Sequence, residues 1–555
     1  MRSSVRVVGY MEAETQETDV IQEISYVALS VVLILLAVTA YVSRPSVLHT
    51  TARRARERFV AGLPLGTFVI VSVNVVFFVF AQRAYTGDVL TVPYLSWSYV
   101  YPTGFLTGPV GHAGVPHIVG NLTATVVFAP VVEYVVGHKI DLSGERALHP
   151  LVRALVGVPL AWYGVGVFVS FFSWGPSIGF SGVVYFFFGF AVVFYPVVSV
   201  GLLVVTDAFR TLLGALRRPV TASTAGESYI TPSWANIALD GHVLGLLVGV
   251  GVAVLVARRR GANLDAYRVG TAVFVLGLAQ GLYAVWTVDG STYVLYRAFG
   301  VAFVALLAVL VAYFVEIESS SPPFTQLDSF APRRTVSVST LLVPIVVICV
   351  IGLVTGLGTV STVDDVDTVE VDGYSVWYGE DVENERVVSV PFIDAAPVNF
   401  TVSGVIVTNE DRGIWYRAAS KGRLRTDPSR SFLVGGLGWY DEVTVERVGL
   451  ESSTGNTSYS VLVTTRNETR AVYDSPPAPT ATTVDGWGVN LTVDGGERAV
   501  RMRRGDRTRT VPLRNTSFTV EGVTFTTRDG RILAGVGDET RAAVGRITGA
   551  RQDLG

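Results

Sequence analysis

The chain's most constraining feature is a series of long apolar runs that continues to about residue 360. The first covers residues 24–42. Nineteen residues at about 1.5 Å each suffice to cross a hydrocarbon core of about 30 Å. Further runs lie at 62–82, 115–137, 150–172, 181–195, 196–214, 238–257, 268–287, 294–316 and 336–359, so ten spans are expected. The run 181–195 is short for a crossing, and Pro196 breaks it from the next. The segment before the first run is acidic (Glu12, Glu14, Glu17, Asp19, Glu23), unlike the short basic lead of a signal peptide. That run is therefore expected to remain as a helix. Composition agrees: only 16% of the residues are charged, against roughly 25% in soluble proteins. That is too little to cover a soluble surface, and the apolar content excludes disorder for the bulk. The net charge of −3 leaves no basic excess for nucleic acid. A single cysteine, Cys349, excludes an internal disulfide framework and a cysteine zinc cage.

Basic residues set the expected orientation. Arg44, Arg53, Arg54, Arg56 and Arg58 follow the first run, and Lys139, Arg146 and Arg153 follow the third. Arg258, Arg259 and Arg260 follow the seventh, and Arg333 and Arg334 precede the tenth. All share one side, the cytoplasmic one, if the N-terminus is outside. Arg217 and Arg218 fall on the opposite side and stand as the exception. This topology, a multi-pass protein of the cell membrane, also places the residues after 360 outside. There the pattern changes to short alternating runs, such as 387–390, 402–407 and 460–464, broken by Gly, Pro and Asp. It reads as a soluble, antiparallel all-β domain. Five Asn-x-Ser/Thr sequons lie in it, at Asn399, Asn456, Asn467, Asn490 and Asn515, in keeping with an outward tail.

Polar residues inside or beside apolar runs are costly and are the first candidates for chemistry. Gly179-Phe180-Ser181-Gly182 opens the short run. A serine flanked by glycines is accessible as an acyl-transfer nucleophile, and the same small residues equally serve helix packing. His242 opens the seventh run, followed on its helical face by Gly245 and Gly249. It is either a general base or a histidine at the membrane interface. His112, His117 and Asn121 enter the third run, the last two four residues apart on one face. Both can donate hydrogen bonds to a developing oxyanion. Zinc is the competing use, weakened by the lack of a third ligand beyond His242 and of any His-Glu-x-x-His string. Of the six histidines, His49, His138 and His149 fall in expected cytoplasmic loops. His112, His117 and His242 fall at outer span ends, the same level as Ser181. Independent packing roles do not account for that coincidence.

This set resembles the rhomboid family of intramembrane serine proteases. The resemblance rests on the pair His112 and His117 with Asn121, on Gly179 to Gly182 followed by Val183-Val184-Tyr185, and on His242, Gly245 and Gly249. Glu133 matches an acidic position that closes the same helix as Asn121. The likeness covers about residues 60–260. Where the family carries Trp-Arg in its first outer loop this chain has Trp97-Ser98, and Ala129-Pro130 replaces small glycines before Glu133.

The resemblance implies an α-helical multi-pass fold. It covers only a six-helix rhomboid core over 60–260; the apolar runs outside it add one N-terminal helix in 1–59 and three helices in 261–360, and the alternating pattern puts the β-rich domain at 361–555. The resemblance implies a serine endopeptidase without cofactor or metal, acting on transmembrane protein substrates in the lipid bilayer, with no nucleic acid partner. Ser181 would be the nucleophile and His242 its base, with Asn121 and His117 at the oxyanion. Gly179, Gly182, Tyr185, Gly245 and His112 would support them, Tyr185 by packing on the His242 ring. The segment 215–237 would cap the site. The alternative is a catalytically inactive relative that binds or retains membrane clients. Such relatives generally lose Ser or His, and this chain keeps both.

Overall fold

The computed structural model describes residues 53–137, 149–217, 232, 234, 237–289, 292–318, 333–357, 366–383, 401–514, 516–537 and 541–550. The first apolar run, the loop histidines His49 and His138, Lys139, Arg146 and Arg218, the run 387–390, and the sequons at Asn399 and Asn515 lie outside them. So does most of the expected cap at 215–237.

Nine of the ten apolar runs are helical in the described residues. They are α1 (Leu65–Val76, extended by a π turn Phe77–Ala81), α2 (Val115–Val136), α3 (Val158–Phe171), α4 (Ser181–Phe194) and α5 (Pro196–Arg217). After them come α6 (Leu239–Arg259), α7 (Ala266–Ala279), α8 (Arg297–Glu318) and α9 (Arg333–Gly356). Six helical stretches are long and apolar enough to cross a membrane: Val115–Val136, Pro150–Phe171, Pro196–Ala215, Leu239–Arg259, Arg297–Glu318 and Ser339–Gly356. Three are shorter: Leu65–Ala81, Ser181–Phe194 and Ala266–Ala279.

The expected span 268–287 is corrected at its end. Helix α7 stops at Ala279, because Gly281 takes a left-handed φ of +78° and turns the chain out of the helix. The following β-branched and aromatic residues then pair as a hairpin, Trp286–Asp289 with Thr292–Leu295.

Helix α4 is the hub. Every residue from Gly182 to Val193 is buried, so this run, apolar all round, is surrounded by protein rather than lipid. Its tightest neighbour is α6. Methyl groups placed on Gly245, Gly249 and Gly189 would lie 2.1, 2.2 and 2.1 Å from the carbonyl oxygens of Gly182, Phe186 and Leu246. Only backbone fits between these helices. Helix α5 differs: 17% of its apolar window is buried against 56% for α6, so the described residues leave most of its surface uncovered. Glu133 on α2 is fully buried and accepts the Gly66 and Thr67 N–H groups at 2.7 and 2.9 Å and the Thr67 hydroxyl at 2.8 Å. A carboxylate thus meets the free donors at the start of α1.

From Val369 onward the described residues form antiparallel β structure with one six-residue helix, Lys421–Thr426. The first four strands, Val369–Val371, Tyr374–Glu383, Thr401–Asn409 and Ile414–Ser420, form one sheet. A meander runs from Ala478 to Pro512, and an eight-stranded sheet joins the two. The long strand Trp439–Ser452 in that sheet serves two cores: Val443 and Val445 in the first, Val448 and Leu450 in the second.

The first β core also takes in Val92 and Trp97 from the loop between α1 and α2. Trp97 stands edge-on to Tyr416 at 6.0 Å, and the Ser98 hydroxyl donates to the Arg412 carbonyl at 2.9 Å. The β region therefore seats on the loop that leads into α2.

Candidate active site

Ser181 is the first residue of α4, where a helix leaves its N–H groups without intrahelical partners. The 14 residues of α4 extend about 21 Å, against a hydrocarbon thickness of about 30 Å. One end of this helix therefore falls short of its membrane boundary.

His242 lies in the first turn of α6, with its Nε2 2.9 Å from the Ser181 Oγ. The Gly245–Gly182 contact one turn along sets this approach, since it brings the two helix starts together at backbone distance. Tyr185, one turn beyond Ser181, stacks on the His242 imidazole with ring centroids 4.1 Å apart and planes 12° apart. The Tyr185 hydroxyl donates to the carbonyl of Gln280, just past α7. The Nδ1 of His242 is buried and has no hydrogen-bond partner among the described residues. The arrangement is thus a pair, Ser and His, rather than a triad.

His117 and Asn121 face the backbone that enters Ser181. The Ala113 N–H donates to His117 Nδ1 at 3.3 Å, which leaves the proton of a neutral ring on Nε2. The Asn121 Nδ2 is buried with no partner among the described residues. Gly179 has φ +130°, and a Cβ there would lie 2.8 Å from His117 Nε2 and 3.4 Å from Asn121 Nδ2. Glycine is thus required both by its backbone and by the imidazole beside it. The Gly179 N–H donates to the Gly108 carbonyl at 2.8 Å, which fixes this strip of chain. His112 is fully buried, edge-on to His117 at 5.3 Å, and its backbone is held in both directions by the Gln82 side chain. Gly182 packs on Val169.

A cavity of about 870 Å³ joins these groups, with His117, Asn121, Ser181, Tyr185 and His242 around it. Two further side chains border it that sequence reading did not single out. Arg210 of α5 donates to the Gly120 carbonyl at 3.1 Å, and Gln280 caps the C-terminal end of α7. A polar residue inside an apolar run was the available signal for both, Arg210 in 196–214 and Gln280 in 268–287. Asp240 was also missed. It accepts the Trp174 N–H at 2.8 Å and the Ser173 hydroxyl at 3.2 Å, tying the start of α6 to the loop before Ser181. Among the described residues no group of three His, Cys, Asp or Glu is placed to hold a metal.

These features define a multi-pass membrane protein with a serine–histidine pair at the start of a buried, short helix. A family model for the Rhomboid domain matches residues 100–259, a stretch that runs from the loop before α2 to the end of α6. The chain thus carries a Rhomboid domain in this stretch, and rhomboid domains belong in general to intramembrane serine proteases. No curated protein matches the chain, and no solved structure matches it.

Proposed function

We propose that the chain is an intramembrane serine endopeptidase that hydrolyses peptide bonds of membrane-protein substrates near the outer membrane face. The observation that carries this reading is the 2.9 Å contact between Ser181 Oγ and His242 Nε2 at the start of α4. Ser181 attacks the scissile carbonyl as His242 Nε2 accepts its proton. The oxyanion that forms is met by the Asn121 amide, the His117 Nε2–H and the N–H groups at the start of α4. His242 then protonates the leaving amine. A water molecule, deprotonated in turn by His242, releases the acyl group from Ser181. Tyr185 keeps the imidazole in plane for both transfers.

A helical substrate hides its carbonyls in backbone hydrogen bonds. Segments containing Gly, Pro or other helix-weak residues are therefore preferred. The arginine distribution supports placing the N-terminus, the site and the β domain outside the cell.

The test uses purified protein in liposomes with a transmembrane substrate and a fluorophosphonate probe. Wild type is expected to release a cut product and to take up the probe. Ser181→Ala should do neither, and His242→Ala should lose cleavage while still inserting. Unchanged labelling of Ser181→Ala would overturn the assignment. A protein that binds such clients and never yields a cut product would instead be the inactive, client-holding relative.

A further inference from the structure

The strands Thr401–Asn409 and Ile414–Ser420 have two unlike ends. The turn after Asn409 holds Arg412 and meets the membrane part through Ser98. From Asn409 the first strand runs back to Thr401 over a distance of about 27 Å at about 3.4 Å per residue. At the far end is a cavity of about 460 Å³, bordered by Thr401, Ser420 and Thr457 and by four cations, Arg417, Lys421, Arg425 and Arg447.

Among the described residues the charges there do not balance. Lys421 is already paired with Glu380 at 2.8 Å. The one acid on the wall, Asp381, accepts from the Ser403 hydroxyl at 3.2 Å. Among the described residues, Arg417, Arg425 and Arg447 have no carboxylate within ion-pair distance.

Arg447 is the most telling of the three. It is 6% exposed, its guanidinium lies over the Tyr459 ring at 4.0 Å, and its Nε has no hydrogen-bond partner among the described residues. Burying a guanidinium with an unmet donor is costly, and its strand neighbours Val445 and Val448 show that the sheet accepts apolar residues nearby. An anion in the cavity removes that cost, because a guanidinium fork matches a planar or tetrahedral oxyanion.

We propose that this cavity is an oxyanion-binding site, with Arg447 as the buried anchor and Arg417 and Arg425 at the rim. The ligand carries a carboxylate, sulfate or phosphate group and comes from the aqueous phase, since the site lies at the end of the strands remote from the membrane helices. The volume leaves room for the small organic body that bears the anion. The proposal is independent of the peptidase reading.

The full chain in non-ionic micelles tests it, with ionic strength held constant by sodium chloride. Sodium sulfate, sodium phosphate and sodium succinate are titrated separately by calorimetry. Saturable binding of at least one is expected, and the anion that binds tells a tetrahedral ligand from a carboxylate. Arg447→Met keeps the apolar stem and should weaken binding about tenfold or more, the loss of a charge-assisted contact. Arg425→Gln, at an exposed position, should weaken it severalfold and serves if Arg447→Met does not fold. No saturable binding of any of the three anions, or affinity unchanged in Arg425→Gln and in any folded Arg447→Met, overturns the proposal.

Discussion

Ser96 and Ser177, 81 residues apart, clasp each other through backbone and side chain together. The Ser96 N–H donates to the Ser177 carbonyl at 3.1 Å, the Ser177 N–H donates to the Ser96 hydroxyl at 3.1 Å, and the two hydroxyls lie 2.9 Å apart. Ser177 is two residues before Gly179, and Ser96 directly precedes the Trp97 that is sunk in the β core. A continuous line of contacts thus runs from the β region to the backbone beside Ser181. Ser96→Ala removes the hydroxyl bonds and keeps the Ser96 N–H bond. Losing about 1–1.5 kcal/mol of positioning is expected to lower kcat about tenfold. KM should hardly move, and Ser96→Thr should restore most of the rate. Steady-state cleavage kinetics check this, and a kcat equal to wild type in Ser96→Ala would refute it.

Gly245 touches no reacting atom, yet it is expected to be nearly as sensitive as one. A methyl group there meets the Gly182 carbonyl at 2.1 Å, so α6 must retreat from α4 and carry His242 away from Ser181. Overpacking of this kind costs about 1–3 kcal/mol in stability. The greater effect falls on the 2.9 Å contact. Gly245→Ala should cut cleavage and fluorophosphonate labelling by about a hundredfold or more, in line with a small misplacement of catalytic groups. The protein should still purify as a folded species. Labelling at the wild-type rate would show that the helices absorb the methyl group elsewhere.

The sequence showed His117, Asn121, Ser181 and His242 because each is a polar residue in or beside an apolar run, where burial without purpose is expensive. The fold brings these four together. The apolar runs were equally plain, since a 20-residue apolar stretch has few alternatives. What stayed hidden was of another kind. Ser96 and Ser177 are ordinary loop serines whose meaning lies in a pairing 81 residues long. The end of α7 was overrun because the apolar character continues past Ala279 into hairpin strands, and hydropathy alone does not separate a helix from a short apolar strand. Arg447 sits in an alternating strand where an inward arginine looks like an outward one until the sheets are packed.

Glu133 is predicted to matter for stability rather than for turnover. Its carboxylate receives three donors from Gly66 and Thr67 within the bundle. Glu133→Ala strands these buried donors, a loss on the order of 3 kcal/mol. The thermal unfolding midpoint in micelles should drop clearly, and Glu133→Gln, which keeps one acceptor oxygen, should fall between. Cleavage per folded molecule, measured below the transition, should change much less than the midpoint. A midpoint unaltered in Glu133→Ala would mean that α1 is held by its apolar contacts alone.

The β region carries its own pH sensitivity at Glu380. Burial by itself raises this carboxyl, but hydrogen bonds from Lys421 and Tyr459, the Lys421 charge and a bond from Tyr378 outweigh it and hold Glu380 below the ordinary carboxylate range. A group depressed in the folded state contributes stability above its unfolded value of about 4.3, and that contribution is lost as pH falls through the folded value. Acidification from about pH 5 to about pH 3 should therefore loosen the strand Thr457–Thr464, which carries Tyr459. Hydrogen–deuterium exchange of that strand in the full chain reads the effect directly. In Glu380→Gln the acid-dependent part of the exchange should flatten, with exchange at neutral pH faster than wild type. A variant whose exchange rises on acidification as steeply as wild type would move the origin of the effect to other carboxylates.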